Sequence, residues 1–323
     1  MSDNVKYEEL WLIGAGQMAM DYANVLMAMD IPFTAIGRSK ESAKTFAKKV
    51  NHAILPGGIE NAVTIFNRLP RRVIIAVDIC ELSNVANFFL KNEVKNILLE
   101  KPGGLNREKL ESVAKESGKV NANVYVAYNR RFYTSTLTAQ KMIEEDGGVT
   151  SFFFEFSEWA HEIEKLNKSE IILKNWFLGN SSHVLDLAFF LGGIPAQISS
   201  YTSGELSWYP TASEFTGAGI SECGTLFSYH ANWKGPGRWG VEILTQKRRL
   251  IFRPMEQLHI QNIGSAVIEK VEIDDSLDKN FKPGLFLQTK AFMEDDYSQM
   301  LSVDEQINCL NWYEKIERGF YCQ

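Results

Sequence analysis

The sequence predicts two domains: an α/β domain on a parallel sheet, then an α+β domain with an open, mostly antiparallel sheet. Three observations carry this. The chain has 323 residues, more than one hydrophobic core usually serves. Up to Ala127, short apolar runs alternate with amphipathic segments, the pattern of strand–helix crossovers. After Tyr128 the runs are joined by Gly, Pro and polar turns, which suits antiparallel neighbours. Residues 1–128 are therefore assigned to the first domain and 129–323 to the second, with the closing helix free to pack back on the first.

The first domain reads as strands at 10–13, 33–36, 73–77, 96–99 and 123–127. Helices fall at 17–29, 39–50, 81–90 and 107–117. Ser39 can cap the second helix, whose Ala43, Phe46, Ala47 and Val50 share one face. The run VIIAV at 73–77 is wholly apolar, as a strand covered on both faces must be. In the second domain, helices are expected at 134–145, 182–191, 284–295 and 303–318. The last begins with Ser302 and Glu305 at capping-box spacing. Strands are expected at 149–158, 197–202, 224–233, 240–245, 249–252 and 266–273. Phe152, Phe154 and Phe156 alternate and read as one buried face, packed on helices or on a second subunit.

Composition narrows the class. With 45% hydrophobic residues the chain can build cores without metal or disulfide staples. A net charge of −6 argues against a broad nucleic-acid surface. Cys80, Cys223, Cys309 and Cys322 are scattered, with no CxxC pair or Cys/His cluster to hold zinc. A reducing compartment follows as the simplest expectation. The opening MSDNVKYEEL lacks an apolar stretch, and no apolar run is long enough to span a membrane. A cytoplasmic protein without a membrane partner is expected.

Chemistry first appears at residues 10–22, LWLIGAGQMAMDY. A strand runs into Gly14-Ala15-Gly16-Gln17-Met18-Ala19 and a helix follows. In this context Gly14 permits the tight turn, Gly16 lets the backbone approach a pyrophosphate, and Ala19 lets the helix pack close. The helix N-terminus offers free N–H groups and a positive dipole end. This is the Rossmann dinucleotide-binding pattern, although GxGxxA alone can also be a plain glycine turn. NAD-specific versions end the second strand with an acid for the ribose 2′-hydroxyl. Here Gly37 is followed by Arg38, Ser39 and Lys40. Arg38 can stack on adenine and pair with a 2′-phosphate, Ser39 can donate, and Lys40 adds charge. NADP(H) is expected over NAD(H); otherwise Arg38 and Lys40 are solvated charges at a helix start. The expected cofactor set is Gly14, Gly16, Gln17, Met18, Arg38, Ser39, Lys40, Val77, Glu100 and Lys101.

The strand at 96–99 ends in Glu100-Lys101-Pro102. Ligands bind beyond the carboxyl ends of such strands, so Lys101 should point toward the nicotinamide end of the site. A surface charge pair is the plain alternative. The EKP run at this distance from the glycine turn resembles the Gfo/Idh/MocA family of oxidoreductases. Tyr128-Asn129-Arg130-Arg131-Phe132 is similar to that family's segment between the domains. Ser182-His183-Val184-Leu185-Asp186-Leu187 is similar to its xHxxDL helix, and residues 292–318 to its closing helices. The resemblance covers essentially the whole chain in order. It implies hydride transfer between a nicotinamide and a carbon bearing a hydroxyl or carbonyl, commonly in sugars, sugar nucleotides, cyclitols or related polyols. It also implies a second domain used in oligomerisation, hence a homodimer or homotetramer.

Two catalytic residues follow. His183 matches the family's catalytic histidine, and an imidazole titrates near neutrality, as proton exchange with a hydroxyl requires. A buried histidine capping its helix is the structural alternative. Lys101 matches the family lysine, and a fixed ammonium stabilises developing alkoxide. One departure stands out: where many family members carry an aspartate four residues before the histidine, this chain has Gly179. Substrate groups are expected from Asn129, Arg130, Trp176 and Asn180; an arginine at 130 could grip a carboxylate or phosphate bidentately. Trp159, His161, Lys174 and Asn175 are further pocket candidates, as aromatics beside polar groups suit sugars. Asp186 reads as a hydrogen-bond acceptor within its helix. The leading expectation is a sugar oxidoreductase. Alternatives are a non-catalytic NADP(H)-binding or sensing protein, and a reductase of a non-sugar carbonyl or imine.

Overall fold

The computed structural model describes residues 8–320; Cys322 and the opening residues 1–7 lie outside them. In chain order the elements begin with β1 (Leu10–Ile13), α1 (Gln17–Ala28), β2 (Thr34–Gly37), α2 (Lys40–Val50), β3 (Ile54–Pro56), α3 (Gly58–Phe66) and β4 (Arg72–Ile75). Next come α4 (Leu82–Lys91), β5 (Asn96–Glu100), α5 (Arg107–Val120), β6 (Asn123–Ala127), α6 (Thr134–Glu145) and β7 (Ser151–Phe156). The short α7 (Ala160–Ile163) and α8 (Glu170–Lys174) precede α9 (Ser182–Gly192). Strands β8 (Pro195–Ser203), β9 (Glu214–Ser221), β10 (Leu226–Asn232), β11 (Trp239–Leu244), β12 (Arg248–Phe252), β13 (His259–Asn262) and β14 (Glu269–Lys270) follow. The chain closes with α10 (Ser276–Asn280), α11 (Leu285–Met293), β15 (Leu301–Ser302) and α12 (Val303–Arg318).

The chain forms two compact units. One comprises residues up to Asn129 together with Lys279–Ile307; the other comprises Arg130–Asp278 and the chain from Asn308 on. The sequence assigns 129–323 to the second domain, with the closing helix free to pack back on the first. Segment Lys279–Ile307 departs from that because its apolar face is needed in the first unit. There Leu285, Gln288, Thr289 and Phe292 of α11 are buried, and α11 packs on α1. Arg72 donates to the Phe292 carbonyl at 2.6 Å and to Asp295 at 2.6 Å.

The first unit holds a seven-stranded sheet in the order β15-β6-β5-β4-β1-β2-β3, parallel except for the antiparallel pair β15 and β6. Strand β1 is buried throughout, as expected of a strand with both faces covered. The unforeseen β3 and α3 lie in 51–66. Their local signal is weak: β3 is three residues long, and Gly57 and Gly58, at the start of α3, both take positive φ. The capping box at Ser302 is formed, with Glu305 accepting from Ser302 N at 2.8 Å and Ser302 Oγ accepting from Glu305 N at 3.2 Å.

The second unit holds an eight-stranded sheet in the order β14-β13-β12-β11-β7-β10-β9-β8. Its neighbours are antiparallel except β7 and β10. Phe152, Phe154 and Phe156 form the expected buried face. That face packs on a helix, with the Phe154 and Phe189 rings edge to face at 5.6 Å. Strand β9 (EFTGAGIS) escaped notice because two glycines give it poor strand propensity. They are there for space: a Cβ on Gly217 would fall 2.5 Å from Tyr229 Oη, and one on Gly219 2.5 Å from Phe227 Cζ. The expected strand at 266–273 reduces to Glu269–Lys270, paired with β13.

Arg131 anchors α9. Its Nε lies 3.1 and 3.0 Å from the two carboxylate oxygens of Asp186, and its Nη2 is 2.7 Å from Oδ1. Both side chains are almost wholly buried. Asp186 therefore serves an ion pair with Arg131. Removing one member of such a pair leaves a buried, uncompensated charge. Asp186→Ala should cost about 3–5 kcal/mol in urea unfolding; a loss below about 1 kcal/mol, the size of an ordinary surface effect, would refute the role.

Candidate functional site

At the end of β1, Gly14 adopts φ +133, and a Cβ there would lie 2.1 Å from the Ala76 carbonyl oxygen. Only glycine fits. Its N–H donates to Ile36 O at 2.9 Å, and Ala76 N donates to Ile13 O at 2.8 Å, so the turn is locked to β2 and to the end of β4. Gly16 is different. Its φ of −82 suits any residue, and a Cβ would meet nothing within 4 Å. No packing within the chain demands glycine at 16. It opens space in front of α1, whose first turn has no side-chain cap and no acidic residue. Backbone N–H groups at such an end are available to an anion, and the helix dipole favours one. The residues present thus fit a dinucleotide pyrophosphate.

Around this cradle, Gln17 Nε2 donates to Asp21 at 2.8 Å on the exposed helix face. Met18 is half-buried, and its Sδ lies 2.8 Å from the Lys282 ammonium. Lys282 had no sequence signal; it reaches the cradle only because Lys279–Ile307 folds into this unit. Arg38, Ser39 and Lys40 are exposed at the end of β2. Ser39 caps α2 by accepting from Ser42 N at 3.1 Å. The Arg38 guanidinium is 3.6 Å from Glu81, but both groups are exposed and the pair holds weakly. Val77 is half-buried just past β4. Glu100, expected among the cofactor contacts, has its carboxylate buried, accepting from Tyr22 Oη at 2.9 Å. Burial raises its pKa, with the Lys101 and Lys282 charges and the Tyr22 hydroxyl pulling the other way. This side chain ties β5 to α1. Lys101, the next residue, is half-buried past the strand end.

In the second unit, His183 is the second residue of α9. It is buried, with its ring 6.0 Å from that of Trp239. A π-helical turn, Phe177–Ser181, leads into it, a conformation frequent at functional sites. Glu158, just past β7, holds this turn. Its Oε1 accepts from Ser181 Oγ at 2.8 Å and from Asn180 Nδ2 at 2.9 Å, and Arg238 lies 4.0 Å from Oε2. Burial pushes the Glu158 carboxyl up to about 7, against the hydrogen bonds and the Arg238 charge. So where the resembling family often has an aspartate at the position of Gly179, a carboxylate from a different part of the chain lies on the same turn. The sequence reading missed it because nothing local links residue 158 to residue 180.

The other substrate candidates separate. Arg130 lines a cavity with Arg238, Trp239, Arg253 and Glu256. Asn129 Nδ2 donates to Pro283 O at 2.8 Å. Trp176 packs edge-on against Trp208, with ring centres 6.1 Å apart. Asn180 is engaged by Glu158. Trp159 lies under Arg238, 5.0 Å from its guanidinium carbon. His161 is exposed beside Glu162, Lys174 pairs with Glu170, and Asn175 donates to Ile171 O; none of the three lines the Arg130 cavity. Among the described residues no helix is long and apolar enough to cross a membrane.

No protein-family model and no curated protein sequence matches the chain. Solved structures do match over nearly its full length. Levoglucosan dehydrogenase in complex with NADH and levoglucosan is 17% identical, with 95% of each chain covered and a TM-score of 0.77. UDP-N-acetylglucosamine 3-dehydrogenase GnnA from Acidithiobacillus ferrooxidans is 14% identical, with 95% of this chain and 96% of that one covered and a TM-score of 0.72. An Agrobacterium radiobacter oxidoreductase in complex with NAD+, L-tartaric acid and magnesium is 15% identical over 94% of each chain, with a TM-score of 0.70. The protein shares the two-domain fold of these dehydrogenases: an α/β domain with a parallel sheet and a second domain with a mostly antiparallel one.

Glu158 gives a test of the π-turn anchor. Its pKa is raised above the unfolded 4.5, so its contribution to stability is complete below the unfolded value and is lost as pH rises through about 7. Glu158→Gln keeps an acceptor for Ser181 and Asn180 but cannot ionise. The variant should match wild type below about pH 4 and exceed it by roughly 3 kcal/mol at about pH 8 in thermal unfolding. The same gap at both pH values would contradict the assignment.

Proposed function

We propose that the protein is an NAD(P)-dependent oxidoreductase transferring hydride to or from the hydroxyl or carbonyl carbon of a sugar, sugar nucleotide or sugar-derived acid. The observation that carries the reading is Gly16: a glycine required neither by backbone conformation nor by packing, placed before an uncapped helix start. Its solved neighbours, which include sugar and sugar-nucleotide dehydrogenases and oxidoreductases bound to NADH or NAD+, agree with it.

The bound nicotinamide would supply the hydride acceptor or donor. The backbone N–H groups of Gln17 and Met18, with the nearby Lys282 ammonium, hold the pyrophosphate. NADP(H) is preferred, because Arg38 and Lys40 stand where an NAD-specific chain needs an acid. Lys101 donates to the reacting oxygen and stabilises negative charge as it develops. His183 exchanges the hydroxyl proton, its ring held by burial against Trp239. Gly179 favours a second reading, a dinucleotide-binding protein without turnover; Glu158 on the same turn weighs against that.

Gly16→Val should fold with wild-type stability yet lose dinucleotide affinity by at least about tenfold, because the added methyls occupy the pyrophosphate's space. Titration with NADPH and NADH reads both affinity and preference; tighter NADH binding would remove the NADP assignment. Lys101→Ala should retain cofactor binding and lower turnover roughly a hundredfold on whichever member of a carbohydrate panel is oxidised or reduced. Cofactor binding with no turnover across the panel would select the second reading.

A further inference from the structure

Arg130 and Arg131 are neighbours in one turn, Arg131 buried and Arg130 half-buried, and the chain treats them differently. Arg131 has a bidentate carboxylate partner in Asp186. Arg130 has none. Its guanidinium lies over the ring of Trp239 at 5.0 Å and near that of Tyr133 at 5.8 Å. Among the described residues neither its buried Nε nor the buried Nε1 of Trp239 has a hydrogen-bond acceptor. A buried donor left without an acceptor is costly.

These two residues border a cavity of about 280 Å³. Arg238 and Arg253 also line it, against a single lining carboxylate, Glu256. Neither of these arginines is loosely placed. Arg238 lies between the rings of Trp159 and Trp239, at 5.0 and 4.8 Å. Arg253 is held by Glu155 at 2.8 Å, and the same glutamate accepts from the Arg238 backbone N–H at 3.2 Å. Gly240 makes room for Arg253: a Cβ there would sit 2.9 Å from its Nη2. Trp239, the common wall, also faces the His183 ring.

We propose that this cavity receives an oxyanion group of the substrate, a carboxylate or a phosphate, with Arg130 as its main partner and Arg238 and Arg253 completing the site. Planar guanidinium forks match both groups bidentately. The substrate is then an acidic or phosphorylated sugar-type molecule rather than a neutral one. The proposal rests on the oxidoreductase reading above and narrows its substrate class.

The full-length protein is titrated by intrinsic fluorescence with D-glucuronate, inorganic phosphate and neutral D-glucose in separate arms. NADPH binding is followed in parallel. At least one oxyanion arm should bind roughly ten- to hundredfold more tightly than D-glucose, and which arm does so separates carboxylate from phosphate. Arg130→Met should abolish that preference and leave NADPH affinity unchanged. Circular dichroism checks the variant's fold; if it does not fold, Arg253→Met, whose arginine is partly exposed, must lower the preference instead. Equal binding of acidic and neutral probes, absence of binding in both oxyanion arms, or a preference that survives substitution would overturn the proposal. Loss of NADPH binding by the wild-type protein would instead defeat the oxidoreductase reading, so the two failures are distinguishable.

Discussion

A carbonyl oxygen, that of Ala76, occupies the place where any side chain at Gly14 would begin. Much of the first unit depends on this contact. It brings the β1 turn against the end of β4, so the chain can turn within three residues, Gly14 to Gly16, and start α1 at Gln17. It also leaves the α1 N-terminus uncapped by any side chain. A helix start in water with no cap and no acid is a poor choice for stability alone. It becomes a sensible one if an anion completes it.

The second unit answers a different electrostatic problem. It buries several charged groups and pairs most of them within itself. Arg131 with Asp186 fixes α9 to the turn that follows β6. Asp146 is held by Arg248 at 2.7 Å and by Thr245, which lowers its pKa despite desolvation. Glu158 is satisfied by two hydrogen-bond donors, so burial brings its pKa near neutrality without leaving an orphaned group. Against that background Arg130 stands apart: a half-buried cation stacked on aromatic rings.

The two polar arrangements differ in how they are built. The glycine cradle is made from backbone, and side chains near it are chiefly excluded. The cluster around His183 is made from side chains on separate elements: Glu158 after β7, Arg238 and Trp239 at β11, Arg253 at β12. A backbone site can be encoded in six consecutive residues. A side-chain site of this kind needs register across several strands.

What the sequence determined by itself was local. The alternation of apolar runs, the glycine spacing at 14 and 16, the Ser39 cap and the capping box at Ser302 are all patterns within one helix turn or one strand, and each is present in the structure. The Phe152, Phe154 and Phe156 face was legible because strand periodicity alone dictates it. Tertiary structure decided the rest. It returned Lys279–Ile307 to the first unit, placed Lys282 beside Met18, and turned Glu100 into a buried partner of Tyr22. It set Glu158 on the turn that lacks an acid at Gly179, and paired Asp186 with Arg131. Such contacts join residues up to 266 positions apart. Side-chain pairing at that range is settled by which faces must leave water together, and no short stretch of sequence contains that information.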